Sequence, residues 1–93
     1  MINRYKDESV NIILQCEDGL IPDGYHAKMT ISKKDFTFEK ELDVNNERDC
    51  FILNLGTGTM KTLEGAYKLV IIMYNNEIDF GQRLLDTILD IKG

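Results

Sequence analysis

The chain has no tryptophan, one proline, one histidine and two cysteines among its 93 residues. Each scarcity removes a class of function. Nucleophilic catalysis needs a serine or cysteine beside a base held by a third group. The one histidine, His26, falls on the polar side of an alternating stretch next to Lys28, and no such constellation is legible around it. Asp and Glu total 16, but nothing in their spacing selects a catalytic pair. Cys16 and Cys50 lack the close pairing of metal ligands. They read as free thiols of a reducing compartment. The reading is therefore non-enzymatic, with no catalytic residue, no metal site and no cofactor.

Long apolar runs are also missing. The longest, Leu69 to Met73, is far short of the ~20 residues that span a bilayer. Met1 to Glu8 is polar and acidic, without the apolar segment of a secretory leader. Synthesis in the cytoplasm and no membrane partner are expected. Basic residues are scattered, with Lys33-Lys34 the one adjacent pair, and the net charge is -5. Such a surface repels phosphate backbones, so no nucleic-acid partner is expected.

What is present is alternation. Val10 to Leu14 is rich in β-branched residues. Tyr25, Ala27, Met29 and Ile31 alternate with His26, Lys28, Thr30 and Ser32, giving a strand with one wet face. Lys33-Lys34-Asp35 can turn the chain into Phe36 to Leu42, with Phe36 and Phe38 facing in. Asp43 to Asp49 reads as a polar loop and Cys50 to Leu55 as the next strand. Tyr67 to Met73 follows, and then Asn75-Asn76, which favours a tight turn because asparagine tolerates positive φ. Glu77 to Phe80 and Leu85 to Ile91 complete the set. Leu84, Leu85, Ile88 and Leu89 also fit a helical stripe, so a short C-terminal helix stands beside the strand reading. A turn cluster contains Asp18, Gly19, Pro22, Asp23 and Gly24. The expected fold is all-β: a small antiparallel Ig-like sandwich of six or seven strands over residues 9–93, after a polar tail at 1–8.

Two stretches imitate ligand loops and fail on detail. Gly56 to Thr62 resembles a phosphate loop, but Met60 and Leu55 stand where glycines must let amides wrap the phosphate. Asp43, Asn45, Glu47 and Asp49 alternate like calcium ligands. Arg48 and Asn54 stand where such a loop needs glycine and a carboxylate.

One strand is unusual. Val70 and Ile72 lie opposite Leu69, Ile71 and Met73, so Tyr67 to Tyr74 is apolar on both sides. In a sandwich one side of a strand is normally wet. The face carrying Val70, Ile72 and Tyr74 is therefore the candidate interface, covered by the chain's own segments or by another molecule, including a second copy of the chain. Gly65 and Tyr67 open this strand. Gly65 sits where a sharp turn demands positive φ, and Tyr67 starts the buried side.

The run Thr59, Leu63, Gly65, Tyr67, followed by a long strand, a tight turn and closing strands, resembles a pattern in small phage virion β-sandwiches. These include the N-terminal domains of baseplate upper proteins and tail or head accessory proteins. Their loop has the form T-x-x-L-x-x-G-x-Y; here the spacing is Thr59-x3-Leu63-x-Gly65-x-Tyr67. The resemblance covers about Phe51 to Ile91. It implies an assembly role in a tail, baseplate or head, and no catalytic residues. The alternative reading is a small acidic phage inhibitor or adaptor of a host protein. Lysines such as Lys28, Lys40 and Lys68 interrupt its carboxylates.

Overall fold

The computed structural model describes residues 1–17 and 19–93. Asp18, one member of the expected turn cluster, lies outside the described residues. The described residues form eight strands in two sheets, a small all-β sandwich. The strands are β1 (Ile2–Tyr5), β2 (Val10–Gln15), β3 (His26–Lys33), β4 (Phe36–Glu41), β5 (Asp43–Val44), β6 (Cys50–Leu55), β7 (Gly65–Asn75) and β8 (Phe80–Lys92). A single helical turn, α1 (Thr57–Met60), joins β6 to β7. One sheet has the order β1-β8-β7-β3-β4 and the other β2-β6-β5. All pairings are antiparallel except β1 with β8.

The alternation puts one face of each sheet into a shared core. Met29, Ile31, Leu69 and Ile71 of the large sheet meet the layer containing Val10, Leu53 and Leu55 of the small one; all seven are almost fully buried. Each such side chain contributes about 1.5–3 kcal/mol by leaving water. Met60 and Leu63 add to this core from the β6–β7 connection. The chain changes sheet between β4 and β5 at one residue. Leu42 is buried there, and its N–H donates to the Ala27 carbonyl.

Several expectations need correction. The N-terminal tail is not free, because Ile2 to Tyr5 pairs with Leu89 to Lys92 and Ile2 packs on the core. The short motif hides because only alternate residues are partly buried. The loop expected at Asp43 begins as β5, paired with β6. Phe36 shares the inward face with Lys33, yet lies on an edge strand and stays 43% exposed, its ring edge against Tyr67.

The C-terminal segment is one strand from Phe80 to Lys92, with no helix, and the separate strand expected over Glu77 to Phe80 is turn up to Asp79, with Phe80 the first residue of β8. The register against β7 shifts at Ile71/Ile72: Leu85 opposes Ile71, Arg83 opposes Ile72, and Leu84 is the extra residue. This bulge leaves Leu84 and Leu85 both partly buried against the core. Two adjacent inward leucines followed by buried Leu89 imitate a helical stripe. The tight turn at Asn75-Asn76 is likewise replaced by a turn over Asn76 to Asp79, with positive φ at Asp79. Asn75 ends β7, buried, and its Oδ1 accepts from the Glu77 N–H at 3.0 Å.

Candidate interaction surfaces

The two imitation loops show what their residues do instead. In Gly56 to Leu63 the backbone amides turn inward on their own carbonyls. Met60 N–H donates to Gly56, Lys61 to Thr57, Thr62 to Thr59 and Leu63 to Met60. Those amides are thus committed, and the turn works as a stopper that drives Met60 into the core. In the acidic loop, Asn45 is the hub. Its Oδ1 accepts from the amides of Asp49 and Cys50, and its Nδ2 donates to the Asp49 carboxylate at 2.5 Å. This bond, with one from Cys50, holds the Asp49 carboxyl below its ordinary pKa. Burial, then the same carboxylate, pushes the Cys50 thiol up. Among the described residues no group of three acidic, histidine or cysteine side chains is placed to hold a metal ion.

Cys16 and Cys50 are near in the fold but not bonded. Cys50 opposes Gln15 across β2–β6, and the Cys16 N–H donates to the Asp49 carbonyl. Both thiols are free. The one-residue offset sends them to opposite faces of the sheet.

Gly65 has φ of 93°, the left-handed value that favours glycine. A Cβ there would stand 2.5 Å from Lys33 Nζ. That ammonium donates to the Glu64 carbonyl at 2.9 Å and lies 5.3 Å above the Tyr67 ring. Tyr67 is buried, and its hydroxyl accepts from the Glu64 N–H at 3.0 Å. Gly65 and Tyr67 thus belong to one structural corner at the start of β7.

Val70, Ile72 and Tyr74 share the outer face of the large sheet, each half-buried. Their cross-strand partners are polar: Thr30 and Asp86 flank Val70, Lys28 and Arg83 flank Ile72, and His26 opposes Tyr74. Arg83 and Asp86 pair at 2.9 Å. Neighbouring side chains therefore shade the apolar pair. β1, which could have folded over this face, lies at the sheet edge instead. The Tyr74 hydroxyl donates to the Glu41 carboxylate, and this bond, aided by burial, raises its pKa. His26 stacks on the Tyr74 ring with centroids 5.6 Å apart. The shallow hollow beside it is lined by Lys28, Glu39, Lys40 and Glu41. It is an open, charge-mixed surface.

A second surface has no counterpart in the reading of the sequence. On one flank an open groove of about 1100 Å³ lies between the two sheets. Leu14 and Phe51 line it from the small sheet, and Met73, Phe80 and Leu84 from the large one. Ile13 and Leu20 stand on its rim, 66% and 68% exposed. The adjacent apolar pair Leu20-Ile21 inside a turn cluster is the signal that could have marked it. The groove is open because both bordering strands have a free side. Among the described residues β2 pairs only with β6, and β1 covers β8 only from Leu89 onward.

No protein-family model, curated protein or solved structure matches this chain. No described helix is long and apolar enough to cross a membrane.

Proposed function

We propose that the protein is a non-enzymatic structural component that packs against other protein, in the tail, baseplate or head of a phage or prophage particle. The open flank is the observation that carries the protein-contact part of this reading. Exposed Ile13 and Leu20 beside an apolar groove and two unpaired strand sides form the surface that partners cover in assemblies. The outer-face group Val70, Ile72 and Tyr74 is a second, smaller contact in the same proposal. The resemblance around Thr59 to Tyr67 supplies the kind of assembly. The acidic surface and scattered lysines support a protein partner over nucleic acid.

The test is composition of the particle. Particles from the phage or prophage that encodes the chain are purified on a density gradient and quantified by mass spectrometry. The protein is expected at a fixed stoichiometry with the other particle proteins. Its absence from intact particles, with recovery in a soluble complex with a host enzyme, would replace this reading by the inhibitor one.

A further inference from the structure

We infer that the open flank is closed by a second copy of this chain, through antiparallel pairing of the free half of β8 with itself. The inference rests on the protein-contact reading above and names its partner. Among the described residues, Phe80 to Ile88 has no strand on the side away from β7. The segment reads Phe-Gly-Gln-Arg-Leu-Leu-Asp-Thr-Ile. It carries no proline and no lysine, and its two charges, Arg83 and Asp86, pair with each other on the outer face.

The bulge sets the register. In a regular strand Arg83 and Asp86 would point to opposite faces, because their spacing is odd. The extra residue Leu84 puts both on the outer face, where they pair at 2.9 Å. A two-fold axis perpendicular to the sheet, passing between Leu84 and Leu85, then opposes Arg83 to Asp86 of the second copy. The same axis opposes Leu84 to Leu85 and Gln82 to Thr87. Over Gly81 to Ile88 every opposed pair faces the same side, so the pairing is consistent with the pleat, and it ends there because Ile2 already pairs with Leu89 on this edge. Opposite charges meet twice on the outer face, and leucines meet twice on the inner one. The charge pattern is thus complementary to itself, as an isologous contact requires.

The same axis brings the two open grooves together. Ile13 and Leu20, both more than 60% exposed, stand on the rim of the groove that Phe80 and Leu84 line. Closure would cover these rims with the corresponding rims of the second copy. The large sheets would join into one continuous sheet of ten strands, twice the five seen in one copy.

Sedimentation equilibrium tests the idea, with Arg83→Glu and Asp86→Arg as variants. Both positions are exposed, so the variants are expected to fold, which circular dichroism checks. Wild type is expected to dimerise. Each single variant sets like charges opposite one another twice and is expected to weaken its own dimer about tenfold or more. Mixing the two variants restores opposite charges at both places. The mixture is therefore expected to form a heterodimer tighter than either variant alone. This rescue can come only from contact between chains, since neither variant regains its own internal pair. A wild type that stays monomeric at high concentration overturns the inference, and so does a mixture no tighter than the single variants. Either result leaves the particle-composition experiment unaffected, so the two readings fail separately.

Discussion

Replacing Gly65 by alanine perturbs the corner where β7 begins. The new methyl group acts in two ways. At φ of 93° an L-residue is strained, at a cost of about 1–3 kcal/mol. The methyl also lands 2.5 Å from Lys33 Nζ. The contacted atom is the end of a flexible side chain, so it can swing away. In leaving, it gives up the Glu64 carbonyl and the face of Tyr67. At an exposed site that loss is worth about 0.5–1 kcal/mol. The two terms together lower the melting temperature by about 8–20 °C for a domain of this size. Thermal unfolding followed by circular dichroism reads the shift. Gly58→Ala is the control, because a Cβ there meets open space. Within a helical turn that change is neutral or gains up to ~1 kcal/mol. Measuring Gly65→Ala again in a Lys33→Ala background separates backbone strain from side-chain displacement. If strain dominates, most of the loss persists there. A Gly65→Ala variant that melts within a degree or two of wild type would refute the reasoning about both.

Met60→Ala is expected to cost about 2–5 kcal/mol by leaving a cavity under α1, measured by urea unfolding, because its side chain is fully buried. Acid should weaken the protein partly through Asp49. Its folded pKa lies below the ordinary 3.8, so its stabilisation is present above that value and lost as pH falls through the folded one. Asp49→Asn should flatten this part of a stability profile measured below about pH 4. The double variant Val70→Lys with Ile72→Glu should leave the fold intact, since both side chains face outward among polar neighbours. Loss of particle incorporation without loss of melting temperature would mark that face as a contact. Failure to fold would mark it as part of the core.

The strands with one wet face were the legible part. β3 and β6 follow their alternation almost residue by residue, because each has one side on the core and one in water. Gly65 was legible for a different reason: a glycine between a polar loop and a long apolar strand has few other uses. β1 was illegible because an edge strand of four residues, INRY, needs only a shallow pattern, and its partner lies at the far end of the sequence. The bulge at Leu84 was illegible because it erases the period that marks a strand. The flank escaped notice because it exists only between elements. Ile13 belongs to one sheet and Leu84 to the other, and no local pattern announces that neither strand has a neighbour on that side.

The parallel pairing of Ile2–Tyr5 with Leu89–Lys92 ties the earliest residues to the latest ones. During synthesis β1 must wait, unpaired, until β8 has emerged almost completely. The intervening strands can form hairpins by then, since β3 with β4 and β7 with β8 are sequential neighbours. The last step is then a docking of β1 against β8, with the highest sequence separation in the fold. Such distant contacts slow folding and keep strand edges exposed meanwhile.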